Sequence, residues 1–351
     1  MRRTGPPGPG GLIRLVLAFG FSLVCLVLAL RDVSLAGVAL VLNRADLGLV
    51  ALALCTLPLT VAAKALRWRW CFPPGARPSP GKTLTVLASG YLLNILAPIR
   101  LGEAARIVLI SDPSRGGAAY ALGTIGIEKL MELVFMLLSL AFVVPRMTFP
   151  DWLLRPTQLA LLSVILAVPV FWLAWQEKLL AAGAGSIGGR LRFLPAGWLQ
   201  GQVLSLAASL QMLRQWPVLA GVLLWSTVAW IAGIATNVLV ILALGLPLEW
   251  WVALVVMVVT QVGVAAIPAG PGQVGVFHYL AVVSLSLFGV DKEAALGYGI
   301  LLHLVIYLPL TLMGIAAMWH QRMSWLSLLS QAAAFRNPGK PAASQGDSSR
   351  G

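Results

Sequence analysis

Charge is what this sequence has least of. Only 11% of its 351 residues are charged, against roughly a quarter in ordinary globular domains. A soluble fold of this length could not solvate its surface with so few. Histidine and cysteine are scarce as well, at three each. Cys25, Cys55 and Cys71 lie far apart and share no metal spacing, so they read as small apolar fillers, with no disulfide or metal site expected. His278, His303 and His320 form no ligand pattern either. No cofactor is expected.

What fills the chain is hydrocarbon. Hydrophobic residues make up 59% of it. A bilayer-spanning helix needs about 20 largely apolar residues, and stretches of that kind recur. They predict an all-α, polytopic transmembrane bundle with about eight spans, near 12–30, 47–66, 118–144, 157–174, 217–244, 248–266, 268–290 and 294–318. Arg2 and Arg3 could open a secretory signal, but the apolar run to Leu30 exceeds the roughly 7–15 residues of a signal core. It reads as a retained first span. The domain reading is a cytoplasmic segment over 1–11, a transmembrane domain over 12–320 and a disordered cytoplasmic tail over 321–351.

Residues 83–112 read as a re-entrant helical hairpin. With that reading and a cytoplasmic N-terminus, sixteen loop Lys and Arg, Lys64 and Arg67 among them, fall inside. Arg31, Arg44, Arg146, Arg155 and Lys292 fall outside, as the positive-inside rule prefers. A full crossing at 83–112 would put the basic 176–216 loop outside. Both termini are therefore expected in the cytoplasm. The net charge of +13 then orients helices and meets anionic lipid, and no aromatic-interleaved basic patch points to nucleic acid. The stretch Trp198–Leu213 is amphipathic, suited to the membrane surface or to covering the bundle.

Two hydrophobic segments are broken. In the first, Pro98 and Gly102 interrupt an apolar run that also holds Arg100, Glu103 and Arg106, three apart. Proline removes a donor and clashes with the preceding turn. Irregular backbone at membrane depth survives only where protein or a water-filled cavity surrounds it. Each charge would cost roughly 2.5–3.5 kcal/mol at a helix centre, so such residues mark a path or a specific ion pair. The next span carries Glu128, Lys129 and Glu132. These six side chains sum to zero charge. They fit a buried network that pins the hairpin, or a polar cavity in which Arg100 or Arg106 meets a phosphate.

In the second break, PAGPGQVGVFHY over 268–279 cannot continue a regular helix. It lacks the Gly-Lys-Ser/Thr ending of a nucleotide loop. Pro98-x-x-x-Gly102-Glu103 and Pro268-x-x-x-Gly272-Gln273 share a pattern, and Ala-Leu-Gly follows each, at 121–123 and 295–297. That fits a weak internal repeat, and interrupted segments in corresponding halves point to a transporter's binding site.

Asn94, Pro98-Ile-Arg100-Leu-Gly102-Glu103 and Arg106, Glu128-Lys129-x-x-Glu132, Arg67-Trp68 and Pro-Gly-Gln-Val-Gly-Val-Phe at 271–277 together resemble a known family. It is the flippase-like transmembrane region of lysyl-phosphatidylglycerol synthase/flippase proteins, here as a stand-alone member over roughly 10–320. Two departures stand out. Glu128-Lys129 and Glu132 replace the family's Glu-Arg and following Asp, and His278 stands where an acid is usual. The resemblance implies movement of a lipid or lipid-linked headgroup between leaflets of the bacterial cytoplasmic (inner) membrane. The implied substrate-binding set is Asn94, Arg100, Glu103, Arg106, Glu128, Lys129, Glu132, Gly272, Gln273, Gly275 and His278. A translocase of an anionic lipid, rather than an enzyme, leads. A membrane-embedded lipid transferase, or a non-catalytic subunit of a lipid, glycolipid or hopanoid pathway complex, is the alternative. Membrane lipids are the expected partners, with a homo-oligomer or a lipid-pathway enzyme also compatible.

Overall fold

A computed structural model describes residues 9–97, 101–111, 117–146, 207–267 and 269–321, with side chains from Val16 onward. The expected span at 157–174, the Pro98 and Arg100 positions and the tail lie outside these residues. The described residues form helices and connecting turns, without strand. In chain order the helices are α1 (Pro9–Leu30), α2 (Leu35–Asn43), α3 (Leu47–Trp70), α4 (Pro80–Leu96), α5 (Gly102–Ile110), α6 (Gly117–Val143), α7 (Trp216–Ala243), α8 (Val252–Ala266), α9 (Val276–Ser286) and α10 (Lys292–His320).

Helix starts follow from side-chain caps that satisfy otherwise orphaned backbone donors. Asp46 accepts from the N–H groups of Gly48 and Leu49 at 2.8 and 3.0 Å and opens α3. Ser79 opens α4, with Pro80 at its first position. Asp291 accepts from Ala294 N–H at 2.8 Å and opens α10.

Among the described residues, α3, α7 and α10 are each long and apolar enough to cross a membrane, and α1–α2 is a pair bent by 80°. Helix α6 has 27 residues but carries three charges in its middle. The bundle's exterior is apolar: Leu23, Leu59, Leu224 and Ile231 are more than half exposed.

The second broken segment departs from expectation. The expected span at 248–266 is the 15-residue α8, and in place of a full span at 268–290 the chain forms a turn and the 11-residue α9. A Cβ on Gly263 of α8 would lie 2.4 Å from the Leu280 side chain of α9, so the two helices fold back on each other. The first break does the same. A Cβ on Gly102 of α5 would lie 2.1 Å from the Gly90 carbonyl of α4. At 1.5 Å per residue, α5, α8 and α9 are about 14, 22 and 17 Å long, short of a hydrocarbon core of about 30 Å. Both breaks are therefore helical hairpins. Helix α10 holds the two together. Its Gly314 lies against Leu92 of the first hairpin, and its Gly299 lies against Ala281 of the second.

The described end of the amphipathic stretch covers the bundle. Ala207, Met212 and Leu213 are buried, the last two in a cluster with Trp68 and Val222.

Candidate functional site

Helices α3 and α6 run antiparallel, and their polar contacts pair in opposite numerical order. Tyr120 OH donates to the Cys71 carbonyl at 3.2 Å, and Trp68 Nε1–H donates to Thr124 Oγ1 at 2.8 Å. Arg67 Nη2 then stands 3.8 Å from Glu128 and 3.8 Å from Glu132, and Lys64 Nζ stands 3.6 Å from Glu132. Arg106, from the first hairpin, reaches into this seam. It donates to both Glu128 oxygens, at 3.2 and 2.5 Å, with its guanidinium 4.4 Å from the Trp68 ring centre. This is the bidentate, stacked geometry that arginine's planar fork suits. Lys129 closes the set on Glu132 at 3.1 Å from a more exposed position.

The expected charge balance changes here. Lys64 and Arg67, assigned to a cytoplasmic loop by sequence, lie inside α3, which runs four residues past the expected end of its span. Among the described residues the ion-paired cluster has four cations, Lys64, Arg67, Arg106 and Lys129, against the carboxylates Glu128 and Glu132, and is net positive. Arg67 is 3% exposed and Arg106 2% exposed. Among the described residues, Arg67 Nε and Nη2, Arg106 Nε and the nearby Tyr91 hydroxyl are buried donors without a hydrogen-bond partner. Buried guanidinium donors left open in this way favour an added anion.

The other first-break residues divide. Asn94 Oδ1 accepts from Gly102 N–H at 2.8 Å, tying the end of α4 to the start of α5. Its side chain is spent on the hairpin. Glu103 is half-buried on α5 and makes no ion pair with a described residue. Because α5 begins at Gly102, the expected three-residue ladder shrinks within the described helix to Glu103 and Arg106.

At the second break, Gly272, Gln273 and Gly275 have φ of +66°, +57° and +90°. Gly275 also packs on α1, where a Cβ would lie 2.1 Å from the Ser22 carbonyl. Gly270 N–H donates to Ser22 Oγ at 2.8 Å. The tip is fastened to α10 by His303 Nε2–H, donating to the Gly272 carbonyl at 2.8 Å, and by Tyr307 OH, donating to Gln273 Oε1 at 2.6 Å.

One cavity touches both regions. It has a volume of about 260 Å³ and is bounded by α3, α7, α8 and α10 near their midpoints, with Tyr91 of α4. Lys64 and Tyr91 line it from the charged cluster; Gln273, Phe277 and Tyr307 line it from the second break. Most of the remaining wall is apolar, from Leu57, Met257, Leu302 and Ile306 among others.

Residues 13–314 match the family model described as the lysylphosphatidylglycerol synthase TM region. The chain belongs to that family. No curated protein and no solved structure matches it. The match takes in both hairpins and every member of the ion-pair cluster. As a lysylphosphatidylglycerol synthase TM region, the chain is a multi-pass membrane protein related to lipid handling.

Of the expected site residues in this family member, Gln273 lines the cavity directly, and Glu132 reaches it through Lys64. Gly272 and Gly275 shape the tip without lining the cavity, and His278 faces a different groove. Lys64, Tyr91 and Tyr307 are additions that sequence reasoning missed. A signal existed for Lys64: it already falls within the expected span at 47–66, one helical turn before Arg67, and continuing that span to Trp70 draws Arg67 in as well. Tyr91 and Tyr307 gave none, because aromatic residues in apolar helices are ordinary.

Cys71, just past α3, is 1% exposed, and burial pushes its thiol up to about 12. N-ethylmaleimide at neutral pH is expected to leave Cys71 unmodified in the folded protein and to modify it after denaturation, as read by peptide mass spectrometry.

Proposed function

We propose that the protein is a translocase for an anionic phospholipid, moving its headgroup between leaflets past the Lys64 cavity. The carrying observation is a buried cluster, net positive among the described residues and with open donors, joined through Lys64 and Tyr91 to a largely apolar cavity near the midpoints of α3, α7, α8 and α10. A phosphodiester in hydrocarbon needs both charge compensation and shelter from lipid tails. Lys64 Nζ and Tyr91 OH supply donors at the cavity wall. Arg67 and Arg106 supply fixed positive charge behind them, already oriented by Glu128, so little reorganisation is needed when the phosphate arrives. The acyl chains stay beside apolar walls throughout. Glu103, on the first hairpin, extends the polar path in this reading.

The test uses purified protein in liposomes with a headgroup-fluorescent phosphatidylglycerol, followed by quenching from one side. Lys64→Ala is expected to slow translocation by about tenfold or more, equivalent to about 1.4 kcal/mol of lost stabilisation. Lys64→Arg should keep a substantial part of the rate. An Arg-free, Lys-free cavity wall that still translocates at the wild-type rate in Lys64→Ala would sink this reading.

A further inference from the structure

Behind the second break lies a separate groove of about 420 Å³. Leu42, Leu47 and Val50, from the corner between α2 and α3, form one wall, and Ile300 and Leu304 of α10 form the other. Its polar lining among the described residues is a pair of imidazoles, His278 and His303, with ring centres 4.9 Å apart.

We infer that this groove is a second lipid site, holding an acyl chain of a glycerophospholipid along its walls and an oxygen of the ester or headgroup region on the imidazoles. The inference rests on the lipid-handling reading above but concerns different residues. Two observations carry it. First, the rim is apolar and open: Leu47 is 79% exposed, Leu304 49% and Ile300 36%. In a chain that crosses a bilayer, a groove with such a rim opens onto hydrocarbon, so lipid is the solvent that fills it. Second, His278 is 8% exposed, and its Nδ1 is buried with no hydrogen-bond partner among the described residues. His303 spends Nε2–H on the Gly272 carbonyl, which leaves Nδ1 of its neutral ring as an acceptor. A groove that served only to pack a chain would have no use for a buried imidazole nitrogen left without a partner, as His278 Nδ1 is. Phospholipid oxygens, and hydroxyls on the headgroup, supply the missing partners.

The groove is also coupled to the Lys64 cavity. Phe277 and Tyr307 line that cavity, and their rings lie 5.4 and 4.0 Å from the His303 ring. One aromatic wall thus separates the two spaces. The wall hangs on the tip containing Gly272 and Gly275, whose positive φ lets the backbone turn sharply there.

The test is photocrosslinking in nanodiscs, using phosphatidylglycerol with a diazirine on one acyl chain and peptide mapping of the adducts. Wild-type protein should give adducts on peptides containing Leu47–Val50 and Ile300–Leu304, beyond those in the first cavity. Ile300→Trp fills the mouth from an exposed position and should remove the groove adducts while leaving adducts near Leu57 unchanged. His278→Leu should lower groove adducts roughly fivefold, the worth of about one lost hydrogen bond. Adducts unchanged in both variants would overturn the site. Adducts lost in Ile300→Trp but unchanged in His278→Leu would leave an ordinary boundary lipid and overturn recognition by the imidazoles. Groove adducts that depend on both residues, in a protein that translocates nothing, would uphold this site and overturn only the translocase reading.

Discussion

Replacing Glu128 with Ala is expected to destabilise the protein by about 3–5 kcal/mol, the cost of leaving a buried charge without its partner. Glu128 is 2% exposed and serves two guanidinium groups, Arg106 at hydrogen-bond distance and Arg67 at 3.8 Å. Removing it strands the buried Arg106 and leaves Arg67 only its 3.8 Å contact with Glu132. The asymmetry of the cluster predicts a ranking. Arg106→Ala leaves Glu128 still facing Arg67, so its loss should be smaller than that of Glu128→Ala. Glu132→Ala should cost less again, because Glu132 is 24% exposed and two of its cations, Lys64 and Lys129, are partly exposed. Thermal unfolding in detergent, read by the fraction remaining monodisperse, orders the three variants. Equal losses, or a larger loss for Glu132→Ala, would remove Glu128 from the centre of the cluster.

The second large effect is expected at Gly275. A Cβ there would sit 2.1 Å from the Ser22 carbonyl, at a φ of +90° that L side chains rarely adopt. Steric overlap with fixed backbone and conformational strain each cost about 1–3 kcal/mol, so Gly275→Ala should lose roughly 2–6 kcal/mol. Gly102→Ala meets the Gly90 carbonyl at 2.1 Å without the unfavourable φ and should lose somewhat less. Gly126→Ala is the control. Nothing lies within 4 Å of its Cβ, and it sits inside α6, so it should be neutral or stabilising by up to about 1 kcal/mol. If Gly275→Ala and Gly126→Ala unfold at the same temperature, the close approach of the second hairpin to α1 is wrong.

These expectations show where sequence reasoning reached and where it stopped. Pro98 with Gly102, and Pro271 with Gly272 and Gly275, announce broken backbone because their limits are local to each residue. The Glu128-Lys129-x-x-Glu132 string announces a buried network because charge in hydrocarbon needs a partner. The partner itself was only half legible. Sequence points to Arg106 but counts Arg67 and Lys64 with the cytoplasmic loops, because a basic residue at a span's end looks the same whether its side chain turns out to lipid headgroups or in toward a carboxylate. The apolar run over 268–290 likewise has the composition of a span, and composition does not register a fold-back. Only the packing of Gly263 on Leu280 does.

The sequence alone determined that this is a helical membrane chain with two breaks and a charged seam, and that it carries the motifs of its family. Those features follow from length, hydropathy and residue chemistry, which act over a few turns of chain. Tertiary structure decided that the second break is a hairpin like the first, that the charged seam is net positive among the described residues, and that Lys64 opens it onto a cavity reaching the second break. It also set His278 apart from that cavity. Such facts depend on which helix faces come together, and a period of 3.6 residues fixes a face without naming its neighbour.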